Sequence, residues 1–185
     1  MKANFHLDLD NARFSEQKKV MAKIIALGKL PFLQKNITRF HPHPIEREGK
    51  YWYVTKNAWP YAHTKHHYLI IAQEYWTSLE QIKPQAMSEL MQHACYLRAK
   101  CHAPGGALAL RFGNSNYSGA TIDHLHWQFI VPDIQASDYQ KVHLSIGKDK
   151  TKHQALLVMK KGNFAAVLDI LPDINTTRSP GRRKV

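Results

Sequence analysis

The stretch HLHWQFIV, His124 to Val131, decides how this chain is read. It is apolar, aromatic and β-branched, and Pro132 stops it, which together describe a β-strand. Side chains on a strand alternate between faces. His124, His126 and Gln128 therefore share one face, and Leu125, Trp127 and Phe129 share the other. The second set is the core face. The first is a row of imidazole and amide groups on an otherwise apolar strand. Burying an unpaired polar group costs on the order of 1–3 kcal/mol, so the row either has partners or a ligand, or it lines an exposed sheet face.

The segment before the strand favours the ligand. Gly113, Asn114, Ser115, Asn116, Ser118, Gly119 and Thr121 fall within a single short run. Glycine lets a backbone approach a ligand closely, and hydroxyl and backbone N–H groups donate to phosphate oxygens. Upstream, apolar residues at three- and four-residue steps predict an amphipathic helix from Phe14 to Leu30, with Ser15 as N-cap and Gly28 and Pro31 ending it. FHPHPIEREGK, Phe40 to Lys50, reads as a loop because of its prolines. YWYVT (Tyr51 to Thr55) and HYLIIA (His67 to Ala72) read as strands. Pro84 opens a helix from Gln85 to about His102, with Met87, Leu90, Met91, Ala94 and Leu97 as its apolar face. A strand over Ala107–Phe112 precedes the polar loop. A short strand over Val142–Ile146 and a helix near His153 to Lys161 follow the decisive strand. The pattern is α+β: an antiparallel sheet of about five strands, a central helix packed on it, and an extra N-terminal helix. A single domain over 1–177 and a basic tail over 178–185 are expected.

SGATIDHLHWQFIVP, Ser118 to Pro132, resembles the signature of the histidine triad superfamily: a Gly-x-Ser/Thr segment, then alternating histidines and apolar residues. Gln128 replaces the third histidine. That variant is similar to the galactose-1-phosphate uridylyltransferase branch and the diadenosine tetraphosphate phosphorylases. Strand YWYVT, Lys56-Asn57 and His66-His67 resemble the family's first hairpin, and about residues 50–133 match in order. The resemblance implies a HIT-like fold and a covalent nucleotidyl-histidine on His126, with the His124 carbonyl holding the other ring nitrogen. It implies that the His124 side chain organises the phosphate end and that Gln128 holds a phosphoryl oxygen. A Gln amide hydrogen-bonds but supplies no acid, which favours interception of the intermediate by phosphate or a sugar phosphate over rapid hydrolysis. Asn57 is a candidate for ribose and Asn114 for ribose or phosphate. His67 orients the site, and Ser118, Gly119 and Thr121 line the phosphates. Lys56, Lys65 and Arg111 are candidates for outer phosphates. A two-fold homodimer is implied as well.

The chain has 185 residues, short for a uridylyltransferase, and a formal charge of +12 with 12 His. Such charge suits polyanionic partners: a nucleotide or dinucleoside polyphosphate, with inorganic phosphate as co-substrate. No apolar run spans a bilayer, no secretory leader is evident, and two cysteines six apart make no disulfide framework or metal motif. A cytoplasmic protein without membrane contact is expected. His41-Pro-His43 lacks a Cys or carboxylate companion, so neither metal nor cofactor is expected. His93 and His102 have no assigned role, and Met87 and Met91 read as core. Two other functions fit parts of the pattern. One is hydrolysis of dinucleoside polyphosphates or nucleoside phosphoramidates. The other is nucleotide or RNA binding without turnover, served by the basic tail and by Trp59 and Tyr61 as exposed aromatics.

Overall fold

The computed structural model describes residues 7–148, which lie within one compact unit. In chain order the elements are α1 (Ser15–Ala26), α2 (Gln34–Phe40), β1 (Ile45–Glu48), β2 (Trp52–Lys56), β3 (Thr64–Ala72), α3 (Pro84–Lys100), β4 (Ala107–Leu110), α4 (Ser115–Ser118) and β5 (His126–Pro132). The strands form one antiparallel sheet in the order β1-β2-β3-β5-β4. β3 lies at its centre, and its run from His67 to Ala72 is buried throughout. A strand covered on both faces has to be apolar without interruption, which is what Tyr68 to Ala72 supply.

The two faces carry separate cores. On one, Trp52, Val54, Ile70, Leu90, Leu97, Leu125 and Phe129 pack together, and the Trp52 indole donates to the Ala86 carbonyl at 2.7 Å. On the other, Met21, Ile24, Phe32, Ile37, Tyr53, Leu69 and Ile71 pack together. There the Tyr53 hydroxyl donates to the Phe32 carbonyl at 2.6 Å. The register pairs Ile71 with His126, Leu69 with Gln128 and His67 with Ile130. Alternation then puts His67, His126 and Gln128 on the second face, under the N-terminal segment. Leu125, Trp127 and Phe129 take the α3 face, as their spacing predicts.

Several expectations need correction. Ser15 is the first helical residue, not the cap. Phe14 holds the N-cap position without a side-chain bond, and α1 ends at Ala26. The Phe40–Lys50 loop contains β1, an edge strand with an irregular register between Ile45 and Arg47. Its sequence, IERE, has too little apolar character to show itself, because an edge strand buries little. α2 formed over residues to which the sequence reading assigned no element, apart from Phe40, and the single turn α4 formed where a loop was read. Val142–Ile146 is irregular backbone, not a strand. Met87 and Met91 are 38% and 50% exposed, while Ala86 and His93 are buried. The buried stripe of α3 is Ala86, Leu90, His93, Ala94 and Leu97. That is one continuous helical face, and the two methionines lie about 100° off it. Tyr61 is buried and Trp59 is half-buried, so neither is an exposed platform for bases. The helix expected near His153 to Lys161, the 178–185 tail and the domain limit at 177 lie outside the described residues. Among the described residues no helix is long and apolar enough to cross a membrane.

Candidate active site

β5 delivers His126 and Gln128 to the sheet face beneath the segment between α1 and α2. His124 lies just before the strand, fully buried. Its Nε2–H donates to the Ala72 carbonyl at 2.9 Å, at the end of β3. Phe32 and Tyr75 meet its ring edge-on, with centroids 6.1 and 5.5 Å away. His126 Nδ1 lies 2.8 Å from the His124 carbonyl oxygen. A carbonyl only accepts, so Nδ1 carries the proton and the lone pair is left on Nε2. The Phe32 ring covers this imidazole edge-on at 5.1 Å.

Burial pushes the pKa of His126 down to about 4; the His124 carbonyl opposes the shift and the Arg111 guanidinium adds to it. His124 also falls to about 4, mainly through burial, with its Ala72 hydrogen bond opposing. Both rings are therefore neutral at pH 7.

His67 is nearly fully buried on the adjacent strand. Its Nδ1 accepts from the Tyr61 backbone N–H at 3.1 Å, and the Tyr61 ring stacks on it at 4.8 Å. Gln128 is buried on the neighbouring strand β5. Burial pushes the His67 pKa to about 4, Arg13 and His126 push the same way, and Gln128 opposes them. The Arg13 guanidinium sits 4.2 Å from the Tyr61 ring and donates to the carbonyls of Trp59 and Pro60. The side chain of Asn57 is committed within this cluster. Its Oδ1 accepts from Trp59 N–H at 3.0 Å, and its Nδ2 lies 3.0 and 3.4 Å from the two nitrogens of His67.

The structure thus brings together His124, His126, Gln128, His67 and Asn57. The loop residues stand differently. Asn114 is exposed and caps α4, its Oδ1 accepting from Asn116 N–H at 2.9 Å. The N–H groups of Tyr117 and Ser118 donate to the Asn114 carbonyl and that of Gly119 to Ser115. Ser118 is buried and its Oγ accepts from Ala120 N–H at 3.3 Å. Gly119 takes a left-handed φ of +66° to end the turn. Thr121 is half-buried, and its carbonyl accepts from Asp8 N–H at 2.9 Å. The backbone N–H groups of this loop from 116 to 120 are spent on shaping it. Arg111 is engaged too, with the Gly119 carbonyl at 2.6 Å, the Tyr61 hydroxyl at 3.2 Å and the Ser145 carbonyl at 2.7 Å. Lys56 and Lys65 are exposed. A cleft of about 670 Å³ runs along the outer side of the loop, past Asn114 and Asp123, apart from the imidazoles.

Several solved structures similar to this chain are described as HIT or histidine triad proteins. A HIT family hydrolase from Clostridium thermocellum is 23% identical, with a TM-score of 0.46, over 59% of this chain and 93% of the other. A histidine triad nucleotide-binding protein from Candida albicans is 20% identical, TM-score 0.46, over 72% and 96%. A zinc-bound histidine triad family protein from Mycobacterium smegmatis is 17% identical, TM-score 0.42, over 70% and 91%. No family model and no curated protein matches the chain. Among the described residues no group of three or more His, Cys, Asp or Glu is placed to hold a metal ion.

Phe32, Tyr61, Tyr75 and Arg13 are the neighbours of the imidazoles that sequence reading missed. Phe32 and Arg13 come from the N-terminal region, far away in sequence, and no spacing rule connects them to the motif. Tyr61 offered a faint signal in standing six residues before His67.

Proposed function

We propose that this chain is an enzyme of the histidine triad superfamily that transfers a nucleotidyl group from a dinucleoside polyphosphate through a covalent nucleotidyl-His126. One observation carries the reading: His126 is a neutral ring whose Nδ1–H is held by the His124 carbonyl, which directs the Nε2 lone pair outward as a nucleophile. In the first step Nε2 attacks the α-phosphorus. A phosphorus–nitrogen bond forms, and the bond from phosphorus to the bridging oxygen breaks. The leaving polyphosphate departs as an anion, and the positive charge gathering on the ring is stabilised by the His124 carbonyl. In the second step an oxygen of inorganic phosphate attacks the same phosphorus and His126 leaves as the neutral imidazole. The substrate class is diadenosine tetraphosphate-like, and Gln128 supports phosphorolysis over hydrolysis because its amide cannot donate a proton to a leaving group. Asn57, Asn114, Ser118, Gly119 and Thr121 remain candidates for contact with ribose and phosphate, and a homodimer is the expected assembly.

Incubation with α-labelled diadenosine tetraphosphate, followed by quenching in denaturant, is expected to leave an acid-labile nucleotidyl adduct. His126→Ala is expected to abolish it. Label retained in that variant sinks the nucleophile assignment. Turnover is expected to rise with inorganic phosphate; equal turnover in water alone favours the hydrolase reading instead.

A further inference from the structure

Tyr53 is fully buried on β2, within the apolar cluster of the sheet face that carries the site, and the chemistry of His126 makes no use of its hydroxyl. A phenylalanine would fill the same space without a polar group to satisfy. The hydroxyl serves the backbone instead, donating to the Phe32 carbonyl at 2.6 Å. Asn36 is a second buried polar side chain in the same service: its Nδ2 donates to the Leu30 carbonyl at 2.8 Å. The N–H groups of Asn36 and Ile37 donate to the Leu33 carbonyl at 2.7 and 3.0 Å. The turn from Leu30 to Leu33 is therefore held from β2 and from α2 at once. Two buried polar groups committed to one short turn fix whatever that turn carries.

It carries the Phe32 ring. That ring is 7% exposed and meets the imidazoles of His126 and His124 edge-on, with centroids at 5.1 and 6.1 Å. His126 is half-buried; its Nδ1 faces the His124 carbonyl and Ile71 of β3 pairs with it. Phe32 closes on it from the segment between α1 and α2. A hydrocarbon ring there offers water no hydrogen bond. Water is the acceptor that a phosphorolytic enzyme has to refuse, and closing a site against it protects a reactive intermediate from hydrolysis.

We propose that Phe32 is a specificity-determining residue for the acceptor: its ring, fixed by Tyr53 and Asn36, walls one side of His126 against water, so that the nucleotidyl group on Nε2 passes to inorganic phosphate. This rests on the reading of His126 as nucleophile and adds a second determinant to Gln128. With diadenosine tetraphosphate, formation of the adduct releases ATP. Attack by a phosphate oxygen then forms a phosphorus–oxygen bond, breaks the phosphorus–Nε2 bond, returns the electron pair to Nε2 and yields ADP. Attack by water makes and breaks the same kinds of bond, gives a proton to solvent and yields AMP. The AMP-to-ADP ratio thus reads the acceptor, whatever the overall rate.

The test measures that ratio at one fixed concentration of inorganic phosphate. The parent is expected to yield mainly ADP. Phe32→Ala is expected to raise the ratio about tenfold or more, and Phe32→Leu, which keeps an apolar wall, by no more than about threefold. Met21→Ala opens the same apolar cluster from α1 rather than from the turn, and is expected to lower the urea midpoint without moving the ratio. Tyr53→Phe removes only the hydroxyl that holds the turn, is expected to raise the ratio by about threefold, and decides the matter if Phe32→Ala does not fold. A ratio unmoved in Phe32→Ala, or in Tyr53→Phe if the first does not fold, overturns the proposal. An equal rise in Met21→Ala also overturns it, since a loosened core then suffices. A second readout needs no turnover: 15N NMR titration of the His126 ring in the substrate-free protein. In Phe32→Ala its pKa is expected to move from about 4 toward the ordinary histidine value as water reaches the ring, and in Met21→Ala to stay. An unmoved pKa in Phe32→Ala overturns the wall. A parent that takes no nucleotidyl label fails at His126 and takes the proposal with it, whereas a labelled parent with an unmoved ratio in Phe32→Ala fails at Phe32 alone.

Discussion

An imidazole attacks phosphorus only while one ring nitrogen keeps its lone pair, so under the proposed mechanism the charge state of His126 governs the rate. Its pKa of about 4 is set first by burial, with Arg111 adding to the shift and the His124 carbonyl resisting it. The neutral ring is thus present well below the ordinary histidine range near 6.5. The free-enzyme profile, kcat/KM for adduct formation, is expected to stay flat from pH 8 to about 5. Below about pH 4 it is expected to fall tenfold per unit. Rapid-quench labelling across that range checks it, and a break near 6.5 means the ring is solvated rather than buried. The carbonyl of His124 belongs to the backbone, so replacing the His124 side chain leaves that acceptor in place. Removal of its clamp on Ala72 is the change that matters, since it anchors β3 to the start of β5.

At the scale of elements, two connections position the strand that carries the site. α3 is tied to the β1–β2 turn by one carboxylate. Glu89 accepts from the N–H groups of Lys50, Tyr51 and Trp52 at 3.0, 2.9 and 2.9 Å. Burial raises its pKa, but those three donors and the neighbouring His93 hold it below the ordinary carboxylate value. Glu89→Ala leaves the Tyr51 and Trp52 donors without a partner and is expected to cost about 2–4 kcal/mol, read as a lower urea midpoint at constant slope. The second connection is the end of α4. Gly119 has φ +66°, and a Cβ there would stand 2.8 Å from the Gly147 carbonyl oxygen and 3.2 Å from its nitrogen. Both are backbone atoms and neither can swing away. Gly119→Ala is expected to destabilise by about 1–3 kcal/mol and to loosen the 145–148 segment, which limited proteolysis would detect.

At the scale of the molecule, three imidazoles, two buried and that of His126 half-buried, make the fold sensitive to acid. His67, His124 and His126 all sit near pKa 4, lowered chiefly by burial, against about 6.5 in an unfolded chain. Between those values the unfolded state binds more protons than the native state, so stability falls as the pH falls from about 6.5 to about 4. Below about 4 the three rings contribute no further slope. Urea titrations at pH 7, 5.5 and 4.5 are expected to show a progressively lower midpoint, with the steepest part of the loss in that window. Replacing His67 by Gln removes one titrating ring and is expected to flatten the dependence.

How much of this was legible beforehand follows from where each determinant is stored. The period-two alternation of HLHWQFIV is local, so the sequence alone determined that His126 and Gln128 share a face opposite Leu125 and Phe129. The apolar run of β3, the helix behind Pro84 and the α+β class were local in the same sense. β1 and α4 were not, because an edge strand and a single helical turn bury too little to leave a pattern. Met87 and Met91 misled because an apolar side chain fits a stripe from either side, and only packing against the sheet chose Ala86 and His93. The site divides along the same line. The sequence by itself determined which strand carries the imidazoles. Which nitrogen of His126 keeps its lone pair, how burial lowers three histidines, and which nitrogen of His67 accepts a hydrogen bond were decided by tertiary structure. Those properties depend on a carbonyl, a backbone N–H and rings brought in from Phe32, Tyr61 and Tyr75, and only the folded chain sets them within hydrogen-bond or ring-contact distance.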